Sequence, residues 1–313
     1  MFTRPAVCSP ARRRVARQDG PVLVCCGLLT LDVVQVVDRL PGPDEKVVAR
    51  SLAATFGGPA ANAAATAAAL GVPSRLVSAV GEGPLADAVR ADVAAAGVEL
   101  VDALAPARRP GARPAVSTVL VTAGTGERAV VSTNATALGG LLDDDVDVGA
   151  LLGPLGPRDV LLLDGHLPGV ALPAARRARE AGCTVVLDGG SWKPDSAETM
   201  ALCDAVVVSA DLRVPGADGD VLAAVAALGP RYVARTHGPG PVEVLHDGRR
   251  SSVPVPVPSR VVDTLGAGDV VHGAFAAALA QGASYAAALE RAVVVASRSV
   301  EHAGARGWAA DGA

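Results

Sequence analysis

Residues 263–269 read Asp263-Thr264-Leu265-Gly266-Ala267-Gly268-Asp269, and an Ala-rich run with helical character follows them to about Ala280. This is a loop feeding a helix N-terminus. Gly266, Ala267 and Gly268 carry almost no side chain, so a ligand can approach their backbone N–H groups closely. The first N–H groups of a helix lack intrahelical partners and sit at the positive end of its dipole, a place that suits an anion. A carboxylate at Asp269 would repel a resting phosphate there. It makes sense if it removes a proton from an attacking hydroxyl while the N–H groups hold charge developing on a transferred phosphoryl group. A plainer reading makes Asp263 or Thr264 a helix cap and the glycines an ordinary tight turn.

A second stretch has similar character. Phe56-Gly57-Gly58 turns into an Ala-rich segment that stops at Gly71, with Pro73 just beyond. These are start and stop signals for a helix. Asn62 falls near the start, where its amide could face a ligand or be incidental to close packing. Ahead of it, Asp32 follows a short apolar run, Val22 to Gly27, that reads as a buried first strand continued by Leu28 to Asp32. Open α/β sheets bind ligands beyond the carboxyl ends of their strands, so Asp32 is a candidate; a turn cap is the alternative.

The run 263–269 resembles the Asp-Thr-x-Gly-Ala-Gly-Asp signature of the ribokinase-like (PfkB) carbohydrate kinases. Gly57-Gly58-x-x-x-Asn62-x-Ala64 resembles that family's N-terminal signature, and both occur in the expected order. The resemblance runs from about Val22 to Gly307. It implies that Asp269 is the catalytic base and that Gly266, Ala267 and Gly268 form the anion hole. It implies that Asp32, Gly57, Gly58 and Asn62 hold the sugar. Thr236-His237-Gly238-Pro239-Gly240 resembles the family's nucleotide loop, one residue shorter. With Asp263, Thr264 and Lys193, the residues Thr236, Gly238 and Gly240 are the expected cofactor-binding set.

The elements that must position these residues can be read from the alternation along the chain. After residue 141, apolar strands (159–164, 182–188, 205–209, 231–236) alternate with helical stretches (171–181, 221–228), which implies βαβ units and a mainly parallel sheet. Two segments break that rhythm. Residues 33–55 and 113–134 are turn-punctuated and β-rich, as hairpin-like excursions are. The expected fold is α/β and ribokinase-like: a mainly parallel central sheet, helices on both faces and a small β lid made from the two excursions. A lid keeps water from a transferable phosphate. The expected organisation is a disordered tail over 1–20, a kinase domain over 21–308 and a short tail over 309–313.

Composition sets the outer bounds. The chain has 313 residues, a formal net charge of −4, 50% hydrophobic and 2% aromatic residues. It is long enough for one large α/β domain. A mildly acidic chain has no general attraction for nucleic acid, and no apolar run suits a membrane span. Five scattered cysteines without zinc-ligand spacing fit a reducing compartment, so the expected location is cytoplasmic. The lysines are Lys46 and Lys193 alone, which singles out Lys193 as a group that could neutralise phosphate charge; a solvated loop lysine is the alternative.

The resemblance implies ATP and Mg2+ as cofactors, with a monovalent cation as a further family trait, and no ligand for that cation is assigned. The family's Asn-x-x-Glu, linked to magnesium, is replaced here by Ser209-Ala210-Asp211-Leu212, so the metal ligands stay unknown. The expected activity is ATP-dependent transfer of the γ-phosphate to a hydroxyl of a sugar or sugar derivative. A nucleoside kinase is the alternative inside the family, disfavoured because few aromatic residues are available to stack a base. A non-catalytic binding protein of the same fold is the alternative outside enzymes, disfavoured because a binder gains nothing from Asp269. A nicotinamide dehydrogenase would need Gly-x-Gly-x-x-Gly after the first strand. A lid with β edges leaves a homodimer open.

Overall fold

A computed structural model describes residues 20–104, 111–142, 146–217 and 219–311. The expected N-terminal tail lies outside them except for Gly20, as do residues 312–313. The strands are β1 (Leu23–Cys26), β2 (Thr30–Val37), β3 (Ser51–Gly57), β4 (Ser74–Ser78), β5 (Glu99–Asp102), β6 (Ala115–Thr122), β7 (Arg128–Ser132), β8 (Val160–Leu163), β9 (Thr184–Gly189), β10 (Ala205–Val208), β11 (Tyr232–His237), β12 (Gly240–His246) and β13 (Arg249–Val253). The helices are α1 (Pro59–Ala69), α2 (Pro84–Ala95), α3 (Thr136–Gly139), α4 (Val148–Leu152), α5 (Pro168–Glu180), α6 (Ser196–Ala201), α7 (Val221–Ala226), α8 (Ala267–Ala280) and α9 (Tyr285–Ser299).

Nine strands form one sheet in the order β13-β12-β11-β10-β9-β8-β1-β4-β5. From β11 to β5 every neighbour is parallel; β12 and β13 add an antiparallel edge. The central strands read as continuous apolar runs because both faces are covered. Alternate residues go to opposite sides. Leu23, Cys25, Leu76 and Leu162 pack with α1, α2, α8 and α9, while Val24, Cys26, Leu161 and Leu163 pack with α5 and α7. The order in which strands are added reverses between β1 and β8, which sit side by side and parallel, so their carboxyl ends open a crevice.

The two β-rich excursions pair as a second sheet, β3-β2-β6-β7. β2 runs antiparallel to β3 and parallel to β6, and β6 is antiparallel to β7. One boundary differs from the sequence reading. Leu28 to Asp32 does not continue β1: the chain leaves the large sheet after Cys26, and Thr30 already pairs with Gly57 in the small one. Apolar content cannot tell which sheet a strand joins, and Leu28 and Leu29 are buried in either case. The short strands β5 and β13 were also not apparent from the apolar pattern, since each carries charged residues on exposed positions.

Helices α1 and α8 decide the position of the site. Both are rich in small residues, Ala in α1 and Ala, Gly and Val in α8. Small side chains let two helices approach closely: a Cβ at Gly273 would lie 2.5 Å from the Ala63 carbonyl oxygen. That approach brings the two helix N-termini to one place.

Candidate active site

At the N-terminus of α8, Gly266 is the cap residue, in a left-handed conformation with φ 73°. A Cβ there would lie 2.4 Å from that of Ala305, so the turn needs glycine on both counts. Asp263 fixes the approach to this turn. One of its carboxylate oxygens accepts from the Leu265 N–H at 2.8 Å and the other from the Gly304 N–H at 2.9 Å. Asp263 thus ties the loop before α8 to the Gly304–Gly307 turn, and both of its oxygens are engaged by main chain.

Asp269 sits in the first turn of α8, half-buried at the edge of a cleft of about 1070 Å³. Its Oδ2 accepts from Nδ2 of Asn62, on α1, at 2.7 Å. Burial first, and the nearby Asp188 carboxylate second, push the Asp269 carboxyl up to about 7, against the opposing effects of the Asn62 hydrogen bond and of His272. A carboxyl that titrates near neutrality is suited to accept a proton from a hydroxyl in the cleft.

The same cleft is lined by Asp32, Gly58, Asn62, Asp263, Thr264, Gly266 and Asp269, so most of the expected substrate residues meet there. Asp32, on β2, accepts from the Thr30 hydroxyl at 2.6 Å. Gly57 stands against it: a Cβ at Gly57 would lie 1.9 Å from Asp32 Oδ2. Val34, Val36, Ser117 and Val121 of the small sheet face the cleft as well. The small sheet therefore forms one wall and the α1–α8 junction the other.

Lys193, Thr236, Gly238 and Gly240 do not line this cleft; they lie along the carboxyl ends of β8 to β11. Lys193 Nζ donates to the Asp164 carbonyl and to Ser191 Oγ, each at 3.3 Å. Thr236 Oγ1 donates to the Val208 carbonyl at 3.3 Å, and Gly238, with φ 59°, makes the turn between β11 and β12. Helix α8 reaches this edge through His272: Nε2 lies 3.1 Å from the Val207 carbonyl oxygen, and Nδ1 lies 3.2 Å from Asp188 Oδ2. His272 thus links α8 to β9 and β10, the strands that Lys193 and Thr236 adjoin.

Two residues matter more than the sequence indicated. Asp164, at the end of β8, is buried beneath the site and accepts backbone N–H groups from Leu28, Ala60 and His166. It anchors the first turn of α1 to the large sheet. Arg306, in the Gly304–Gly307 turn, donates to Asn62 Oδ1 at 2.8 Å and to the Phe56 carbonyl at 2.9 Å. Its guanidinium lies 3.5 Å from the Phe56 ring centroid. Its position in a Gly-rich turn was the one signal the sequence carried.

Residues 21–310 match the family described as pfkB family carbohydrate kinase. The chain belongs to this family. An ATP-dependent ribose-1-phosphate kinase of Halopiger xanaduensis is 30% identical, over 91% of this chain and 93% of its own length. A ribokinase of Arabidopsis thaliana is 26% identical, over 91% of this chain and 78% of its own. Among solved structures, one described as a putative ribokinase from Agrobacterium tumefaciens superposes with a TM-score of 0.76 at 27% identity, covering 92% of this chain and 94% of the other. Membership of the pfkB family makes this chain a sugar kinase, with the α/β fold and the small second sheet already described. Among the described residues no helix is long and apolar enough to cross a membrane, and no group of three or more His, Cys, Asp or Glu is arranged to hold a metal ion.

Proposed function

We propose that this pfkB kinase transfers the γ-phosphate of ATP to a hydroxyl of a small sugar bound between the small sheet and the α1–α8 junction. Asp269 takes the proton of the attacking hydroxyl. The N–H groups of the α8 N-terminus, Gly266 to Gly268, face the charge that develops on the phosphoryl group. Asp32 accepts from sugar hydroxyls, and Gly57 and Gly58 let the backbone come close to the ring. Lys193, Thr236, Gly238 and Gly240 border the nucleotide, with Asp263 and Thr264 shaping the loop beside its phosphates. The small sheet acts as the lid that keeps water from the transfer. Magnesium, which keeps several waters and needs few protein ligands, would arrive with the nucleotide and would neutralise phosphate charge during transfer. No residue of this chain is assigned to it or to a monovalent cation.

The observation that carries the reading is the place of Asp269: a carboxyl poised near neutrality, at a glycine-capped helix N-terminus, in a cleft that also holds Asp32. A sugar fits better than a nucleoside. Among the described residues that line the cleft, Phe56 is the one aromatic, and Arg306 already covers its ring. A base would find no open shelf to stack on. Ribose and ribose 1-phosphate, which the relatives' descriptions name, come first among the substrates to test.

The experiment is magnesium- and ATP-dependent ADP release against ribose, ribose 1-phosphate, ketoses, sugar acids and nucleosides, with Asp269→Asn in parallel. Turnover on a sugar, lost in the variant, supports the reading. Turnover on nucleosides alone overturns the substrate class, and near-wild-type turnover in the variant overturns the base. The pH profile should show an acid limb in kcat/KM near 7, because the base works only when ionised. A cytoplasmic location and a homodimer belong to the same proposal. The described cysteines are free and buried, and the small sheet leaves Leu52, Val130 and Val131 exposed beside its end strands β3 and β7. Sedimentation analysis decides the oligomeric state.

A further inference from the structure

We propose that Arg306 is a positioning residue for phosphoryl transfer: it locks the Asn62 amide in the one orientation that donates to Asp269. The proposal rests on Asp269 being the base and adds what keeps that base ionised and aimed.

A carboxamide has an accepting end and a donating end, and rotation by half a turn exchanges them. At Asn62 the two ends meet different partners. Oδ1 accepts from Arg306 Nη1 at 2.8 Å, and Nδ2 donates to Asp269 Oδ2 at 2.7 Å. A guanidinium can donate but never accept, so Arg306 admits only Oδ1 toward itself. The flipped amide would set its NH2 against the guanidinium and its oxygen against Asp269. That second arrangement suits only a protonated Asp269, which could donate to the amide oxygen. Through the one intervening residue, Arg306 therefore denies the protonated carboxyl an arrangement that would favour it.

Arg306 is itself held firmly enough to act this way. Nη1 also donates to the Phe56 carbonyl at 2.9 Å, Nη2 donates to Thr55 Oγ1, and the guanidinium stacks over the Phe56 ring. Thr55 Oγ1 and the Phe56 N–H each donate to Asp92 Oδ2 at 2.8 Å, which orients the Thr55 lone pair toward the arginine. Thr55 and Phe56 belong to β3 of the small sheet, so the lock spans the cleft's two walls. The other charged or titratable groups that act on Asp269 are Asp188 at the end of β9, Asp164 at the end of β8, and His272 one turn further along α8. Asp188 and Asp164 oppose ionisation of Asp269, whereas Asn62 and His272 favour it. Asn62 is the member of this set that Arg306 touches.

The test is steady-state kinetics and pH profiles of Arg306→Met and Arg306→Lys, with Asp269→Asn alongside and thermal melting as a check on folding. Arg306→Met should lower kcat about tenfold or more with little change in KM for the sugar, as loss of an aligned base does. It should also move the acid limb of kcat/KM upward by about half a pH unit or more, since a carboxylate that loses a donor becomes harder to ionise. Arg306→Lys keeps one donor and should recover part of both effects. Asn62→Leu removes the amide and should show the same upward limb, and adding Arg306→Met to it should shift the limb no further. A wild-type limb in Arg306→Met, or a change in KM alone, overturns the proposal. So does a fall in kcat with an unmoved limb, which marks a merely structural arginine. Should Arg306→Met not fold, the Arg306→Lys limb decides in the same way, a wild-type limb counting against the lock. If Asp269→Asn keeps its turnover, the base assignment has failed instead, and that outcome is visible independently of Arg306.

Discussion

Asp164 and Asp269 are both carboxylates beside helix N-termini, both close to the crevice, and they titrate in opposite directions. Asp164 receives N–H groups from Leu28, Ala60 and His166, and His166 Nδ1 lies 3.1 Å from its Oδ1. Burial is the largest single influence and opposes its ionisation. The neighbouring His166 side chain and the backbone donors together outweigh it and hold the carboxyl below its ordinary value. Asp269 has one side-chain donor, Asn62, and a carboxylate neighbour in Asp188, and it rises to about 7. Burial alone does not separate the anchor from the proposed base. The number of fixed donors does: a carboxylate whose lone pairs are filled holds structure, and one left short of donors can take a proton.

The sharpest way to break that comparison is to exchange each carboxylate for its neutral counterpart. Asp269→Asn should fold and bind ligands while losing turnover by about 10²- to 10⁴-fold, the range of a general base. Asp164→Asn should do the reverse. Its loss leaves backbone donors of Leu28 and Ala60 facing an amide, so unfolding free energy should fall by about 3 kcal/mol, read by urea denaturation. Sugar turnover per folded molecule should change far less than in Asp269→Asn. If Asp164→Asn kills turnover at undiminished stability, Asp164 belongs to the chemistry and the division fails. A smaller effect sharpens the substrate side. Gly57→Ala puts a methyl against Asp32 Oδ2 and displaces it, so KM for the sugar should rise about tenfold with kcat less affected.

The sequence exposed the two halves of this comparison unequally. Asp269, Gly266 and Asn62 were legible because helix-start chemistry is local: glycine, a small residue and a carboxylate must stand within one turn. The alternation of apolar runs and helical stretches likewise announced the parallel sheet, and the two β-rich segments announced the small one. Asp164 could be placed only at the end of a strand, among several polar residues at similar ends. Its role depends on Leu28 and Ala60, more than 100 positions away. Arg306 was still less visible, since it meets Asn62 across 244 positions. Contacts of that span are set by how α1, α8 and the last turn pack, which no local pattern encodes. The switch between sheets at Gly27 to Leu29 escaped for a related reason: apolar residues there are buried whichever sheet they join.

The pH dependence of stability is the most discriminating effect, because it tests sign and not size. For Asp164 the folded carboxyl lies below its unfolded value of about 4, so its contribution to stability is present above that pH and is lost as pH falls through the folded value. For Asp269 the folded carboxyl lies near 7, so the folded state keeps a proton that the unfolded chain has released. Its contribution is fully present below about 4 and is lost as pH rises from about 4 to about 7. Asp269→Asn should therefore gain stability on wild type across that window, by about 2 kcal/mol, less than the full shift implies because the cleft admits water. Asp164→Asn should narrow its deficit only as the solution becomes more acidic than about pH 4. Urea unfolding of the three proteins from pH 3 to pH 8 measures both differences. Curves that diverge from wild type in opposite directions uphold a spring-loaded base set beside a saturated anchor. Curves of the same sign would mean that Asp269 is as well satisfied as Asp164, and a base that well satisfied has no reason to take a proton from a sugar.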